Sequence, residues 1–402
     1  MSNADSRVAV KESYWPDDWG LLLSAFAAAY GIGLLSLLAL PFLIGTAMSS
    51  LSLNEAQAGL LGTLEFSGVM LSSLAVAPVM GSANRKLIAY IGAGIALVAN
   101  VASALMSSYE MLIMLRPLAG LGAGLAMACG NATVSNSKNP ERFAGQMSVL
   151  CVVLMIVVML AFSRLSETWG LSGIYASIAV MIVLMGLLMY KLPDHFNHVD
   201  HEFSSDFNDS NGGLLKLPAL FMLAAFLAFS LRDTMAWAFV ERIGSEVGYS
   251  GEEVGNLLSI QAVIGMVGPL LASIIGSKYG LRTPVTIGVF MSGLVTYVVS
   301  QSSGSQLTYT IAVMLMPGTY FFTLAYLTAL AAEIDEKGRV VAASGSALMA
   351  GIAIGPVIGG ELIVLEGGYG LVGWATIGCV ILTYLFVLVP LISMHGAQKN
   401  EE

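Results

Sequence analysis

The chain has 402 residues, of which 56% are hydrophobic and 11% charged, with a formal net charge of −9. Mean hydropathy is +0.81. A soluble fold of this length cannot hide that much apolar surface, so the composition excludes a soluble enzyme, a disordered chain and a disulfide scaffold. It implies an all-α integral membrane protein whose main solvent is lipid. No basic block is present, which excludes nucleic acid as a partner. Cys129, Cys151 and Cys379 lie far apart inside apolar runs, so no disulfide framework is expected.

In chain order, a mixed N-terminal stretch ends in Tyr14-Trp15-Pro16-Asp17-Asp18-Trp19. The apolar run after it is too long for a cleavable signal peptide and is expected to stay in the membrane. Trp15 and Trp19 suit an interfacial belt. Runs of roughly 20 apolar residues, enough to cross a bilayer, number twelve: about 20–47, 55–80, 87–106, 111–134, 144–163, 171–190, 216–240, 254–276, 284–302, 307–332, 341–363 and 371–394. The longest polar connector, 191–215, follows the sixth. It divides the chain into an N-terminal bundle (1–190), a linker loop and a C-terminal bundle (216–402). With the N-terminus inside, 13 of the 17 Lys and Arg residues fall in inner segments. Arg164 and Arg242 fall outside, and Arg116 and Arg232 lie within spans. That asymmetry places both termini and the linker in the cytoplasm.

The halves echo one another: Gly59 and Gly255, Glu65 and Gln261, and Lys86 and Arg282 are each 196 residues apart, and Arg142 and Arg339 are 197 apart. The spacing fits a parallel six-helix repeat. Span 4 carries Arg116-Pro-Leu-Ala-Gly120-Leu-Gly122-Ala-Gly124. Gly81-Ser-Ala-Asn84-Arg85-Lys86 follows span 2, and Gly276-Ser277-Lys278-Tyr279-Gly280-Leu-Arg282 follows span 8. Span 11 carries Gly355-Pro356-Val-Ile-Gly359-Gly360. On these motifs the chain resembles the major facilitator superfamily over essentially its whole length. The span 4 run is similar to R-x-x-Q-G-x-G, with Ala119 in place of Gln. The two inner-loop motifs keep their bases and lack the acid. The span 11 run is similar to an antiporter signature that the family carries in helix 5. The resemblance implies two pseudo-symmetric six-helix bundles around a central cavity. It makes Gly81, Arg85, Gly120, Arg282, Gly355 and Pro356 gating elements, and it implies a monomer; the short loops point to a bacterial inner membrane.

Ionisable groups inside a bilayer cost about 2.5–3.5 kcal/mol each at the centre and mark function by default. Glu65 lies near the middle of span 2 and suits a proton carrier, or else a structural ion pair. Arg116 cannot shed its charge, and Glu65 is its partner by depth. Arg232 and Asp233 lie in span 7; adjacent helical residues point about 100° apart, so one is expected to face the cavity, and Asp233 is a second titrating candidate. Glu241-Arg242 reads as an interfacial pair, and Glu361 as a solvated helix end. Polar groups at cavity depth are Tyr30, Ser36, Gln261, Tyr320, Thr323 and Tyr326. His195, His198 and His201 read as part of an acidic solvated linker rather than a metal site. No enzyme motif, metal site or cofactor site is expected. The reading is a proton-coupled secondary transporter of a small organic solute, leaning to efflux of a metabolite or drug-like compound. An uptake permease for a small organic anion and a non-transporting membrane sensor are the alternatives.

Overall fold

A computed structural model of the chain describes residues 16–194, 216–334 and 339–398, except positions 81, 107, 138, 277 and 366. Gly81, the three linker histidines and most of the linker therefore lie outside the described residues. Among the described residues there is no strand, and eleven helices are long and apolar enough to cross a membrane.

The helices start where the sequence supplies partners for their free N–H groups. In lipid those groups have no water to turn to. Helix α1 (Trp19–Leu51) is capped by Asp18, whose carboxylate accepts from the N–H groups of Gly20 and Leu21. Inside α1 the backbone widens into a π turn over Ala27–Ile32, and Tyr30 sits in that turn. Helix α2 (Glu55–Val79) begins with a reciprocal box in which Asn54 and Gln57 bond each other's backbone. Asn84 caps α3 (Arg85–Leu105), and Ser108 caps α4 (Tyr109–Asn136). The run Pro140–Leu188 is broken at Gly170, where φ is +61° and ψ is −154°. Glycine takes that conformation without the Cβ penalty. The break makes two spans of one run, α5 (140–169) and α6 (171–188), and so gives the twelve spans expected. The second half holds α7 (Leu217–Glu246, stepped after Trp237), α8 (Gly251–Ile275), α9 (Arg282–Ser300), α10 (Gln306–Ile334), α11 (Arg339–Val364) and α12 (Tyr369–Gln398). Ser250 and Glu253 box the start of α8 as Asn54 and Gln57 box α2.

In the first half α4 packs against α2 and α3. In the second, α11 and α12 pack on α7, and α9 on α10 and α12. Three pairs join the halves: α2 with α11, α5 with α8, and α1 with the end of α7. Large apolar side chains such as Leu105, Leu187, Leu307, Trp374 and Ile392 stand exposed on the outside, as a lipid-facing surface requires.

The halves meet closely at the end of the bundle that carries the start of α2 and the end of α5, termed the far end here. Gly59 lies against the carbonyl of Pro356, Gly360 against that of Glu55, and Gly255 against Ser163. A Cβ at any of these would overlap its neighbour, so small residues set the crossing distance. Trp237 Nε1 donates to the Leu37 carbonyl at 3.0 Å, and the Val357 N–H donates to Thr63 Oγ1 at 3.1 Å. Arg164 pairs with Glu252 at 2.9 Å between α5 and α8. Toward the other end of α5 and α11, Gly145 and Gly345 have open space where a Cβ would stand.

Candidate functional site

Close packing brings the first cluster together. Gly120 of α4 rests on the backbone of α2 at Glu65. With the two helices that close, Arg116, one turn earlier, reaches the Glu65 carboxylate. Arg116 Nη1 lies 3.3 Å from Glu65 Oε2 and donates to Asn100 Oδ1 at 3.3 Å, while Nη2 donates to Ser103 Oγ. The guanidinium lies 4.2 Å above the Tyr175 ring of α6. Ser36 of α1 donates to Glu65 Oε1 at 2.6 Å. The paired side chains are 1% and 5% exposed. Beside them is a cavity of about 10 Å³ lined by Leu40, Leu61, Glu65, Arg116 and Tyr175 among others. That is about the room of a single water. A proton and a water fit this cluster; an organic solute does not.

The second cluster lies in the other half. Arg232 of α7 is buried, with Nη1 3.4 Å from Thr296 Oγ1 and Nε 3.5 Å from the Phe229 carbonyl. Its guanidinium sits 4.8 Å over the Phe229 ring, which stacks on Tyr320 at 4.8 Å and 19°. Asp233 is near Arg232, at 3.8 Å between Oδ1 and Nη2. That is an ion pair but too long for a hydrogen bond. Arg232 Nη2 and Asp233 Oδ1 are buried without a hydrogen-bond partner, and so, in α8 of the same half, is Gln261 Oε1. Arg116 Nε shares that state in the first cluster, but there the carboxylate and the remaining guanidinium nitrogens are engaged. The second cluster thus offers unused donors and acceptors, which buried polar groups rarely leave unused.

The repeat extends to this chemistry. Ser36 and Arg232, and Asn100 and Thr296, are 196 residues apart, as are Glu65 and Gln261. In each half an arginine reaches the same polar position on the third helix, Asn100 or Thr296. In the first half it comes from the fourth helix, and in the second from the first.

Residues 221–401 match the family model of the Major Facilitator Superfamily. The fold, over 92% of the chain, is that of solved transporters. The nucleoside transporter NupG superposes with a TM-score of 0.70 at 13% identity over 98% of its own chain. A bacterial homologue of the human lysosomal transporter Spinster, in an inward-facing and unoccupied conformation, gives 0.69 at 13% over 94%. A D-xylose–proton symporter gives 0.66 at 13% over 95%. The chain shares the fold of these transporters, and the family model matches most of its second half. No curated protein matches it in sequence.

Within this fold the remaining sequence-derived positions separate by what they touch. Tyr320 stands beside Arg232 and Asp233, and Gln261 is buried in α8. Tyr30 is half-buried near Phe26. Thr323 and Tyr326 were expected to line the cavity, and the structure commits both elsewhere. Thr323 bonds back to the Thr319 carbonyl and lies against Gly288 of α9. The Tyr326 hydroxyl donates to the carbonyl of Gly276 at 3.0 Å, closing the end of α8. Arg85 is buried where the weakened loop motif left its role open. It donates to the carbonyls of Met80 and Ala132 and to Asn136, tying the ends of α2 and α4 together. Its repeat neighbour Arg282 is exposed. Gly355 packs on Thr234 and Met235 of α7, and Pro356 on Gly59 and Gly62 of α2, so that motif seats α11 between α7 and α2.

Tyr175, Asn100, Ser103, Phe229 and Thr296 are site residues that the sequence reading missed. Asn100 and Thr296 carried a signal in their 196-residue spacing. Tyr175 and Phe229 carried none, being aromatics in apolar helices.

Proposed function

We propose that this protein is a proton-coupled secondary transporter of a small organic solute, working by alternating access between its two six-helix halves. Loops rich in Lys and Arg put both termini in the cytoplasm; the far end then faces outward and is closed. A bacterial inner membrane and a monomeric unit are part of the same reading.

The observation that carries the division of labour is the contrast between the two clusters. Glu65 and Arg116 are enclosed, nearly saturated with hydrogen bonds, and beside a space of about 10 Å³. That suits proton exchange, with Arg116 as the counter-charge released when Glu65 takes a proton. One charge moved across 100 mV is worth about 2.3 kcal/mol, enough to bias the cycle. Arg232 and Asp233 leave buried polar atoms unpaired beside the stacked rings of Phe229 and Tyr320. With Tyr320 and Gln261 they form the solute-binding group, and Tyr30 is the candidate from the first half. Export of a metabolite or drug-like compound is the preferred direction, and uptake of a small anion is the alternative.

The test has two steps. Purified protein is screened by thermal shift against a metabolite library at pH 5.5 and pH 7.5, since a ligand that binds the native state raises its stability. The expected hit is lost in Arg232→Ala. Its flux in proteoliposomes then follows an imposed pH gradient in the parent and ignores it in Glu65→Gln. Proton-linked flux that persists in Glu65→Gln overturns the coupling role.

A further inference from the structure

The far-end closure buries a carboxyl group that the proposed coupling does not use. Glu241 follows the step in α7 and points across to α1, where its Oε2 lies against Gly45. A Cβ at position 45 would overlap that oxygen; the glycine is what admits the carboxyl to the crossing of α1 and α7. Oε1 accepts from Ser245 at 3.1 Å, while Oε2 is buried without any hydrogen-bond partner. Among the described residues Glu241 forms no ion pair within 4 Å.

The charged and titratable groups around it do not supply a counter-ion. Arg242, next in the chain, is an attractive charge within electrostatic reach of Glu241, but it makes no ion pair with it within 4 Å and turns its guanidinium to the Tyr369 hydroxyl, dividing its field with Glu246 and Glu55. Glu167 of α5 is a like charge within electrostatic reach. Tyr309 of α10 faces Glu241 and spends its hydroxyl proton on the Val240 carbonyl at 2.7 Å. A carboxylate in such a place has one oxygen held away from water with no cation in contact and another acid in reach, which is costly; the neutral carboxyl avoids most of that cost. The cost exists while α1 and α7 are in contact and vanishes when water enters between the halves.

We propose that Glu241 is a second protonation site, formed by closure of the far end, so that closing this end and taking up a proton from that side are one linked event. The site is distinct from Glu65, which is enclosed within the first half. Linkage is reciprocal: acid on the far side favours closure, and alkali favours opening. For one proton the closed-to-open ratio changes by at most about tenfold per pH unit. The inference rests on the proposed alternation between open and closed far ends, and the experiment separates the two.

Full-length protein, with Cys129, Cys151 and Cys379 replaced by Ser, carries spin labels at Trp169→Cys and Leu307→Cys. Both positions are exposed at the far end, one in each half. Electron–electron distance distributions are taken in lipid nanodiscs from pH 5.5 to 8.5. The expected result is a short-distance population that dominates at low pH and loses ground as pH rises. Glu241→Gln should hold the short distance at every pH. Glu65→Gln should leave the titration in place. Gly45→Ala, which evicts the carboxyl, should favour the long distance throughout and serves if Glu241→Gln fails to fold. A titration unchanged in Glu241→Gln, or one abolished by Glu65→Gln instead, overturns the proposal. A parent whose distance responds to a transported ligand and not to pH also overturns it, while leaving the transport reading intact.

Discussion

Replacing Arg116 with Ala tests whether the enclosed pair acts as one unit. The substitution removes the ion pair to Glu65, the hydrogen bonds to Asn100 and Ser103, and the contact over the Tyr175 ring. It leaves the Glu65 carboxylate at 5% exposure with Ser36 as its remaining donor. Breaking a buried pair by removing one partner costs about 3–5 kcal/mol, much of it from the uncompensated charge. Glu65→Gln is the milder lesion. It keeps a polar group of the same shape, and Arg116 retains Asn100, Ser103 and the face of Tyr175. The double variant Glu65→Gln with Arg116→Gln should recover part of the loss, because neither side is then a stranded ion. The assay is thermal unfolding of detergent-solubilised protein followed by tryptophan fluorescence. Arg116→Ala should unfold several degrees below Glu65→Gln. Equal losses for the two single variants, or strict additivity in the double variant, would refute the idea of a mutually dependent pair.

The other expectations concern the frame that holds this pair. Gly120→Val places a side chain against the α2 backbone at Glu65, which cannot yield as a flexible side chain would; overpacking of this kind costs about 1–3 kcal/mol. It should lower the melting temperature and weaken proton-linked flux together. Arg85→Ala strips hydrogen bonds from the carbonyls of Met80 and Ala132. Amide exchange should rise first at the ends of α2 and α4, while Arg282→Ala, at an exposed position, should change little. The N–H of Leu21 holds the Asp18 carboxyl below the usual carboxylate range. Its contribution to the start of α1 is therefore fully present above the ordinary value, about 4, and is lost as pH falls through the lower folded value. The stability gap between the parent and Asp18→Ala should be constant near neutral pH and close in acid.

The membrane fold was legible in the sequence because a bilayer enforces a one-dimensional rule: each crossing needs a long apolar run with its backbone bonds made internally. Twelve such runs could be read from residue order alone. So could the partnership of Glu65 and Arg116, since two charges at one depth in lipid have few other choices. Tertiary structure decided what depth cannot express, namely the direction in which each side chain points. It gave Thr323 and Tyr326 to neighbouring helices, and it brought Tyr175 of α6 over Arg116. It also turned Glu241 from an interfacial residue into a half-buried one whose Oε2 is shut away from water. The sequence places Glu241 near the end of a span, where water is close. Only the crossing of α1 over α7 at Gly45 removes that water, because burial depends on which helices touch, and a helix does not record its neighbours in its own residues.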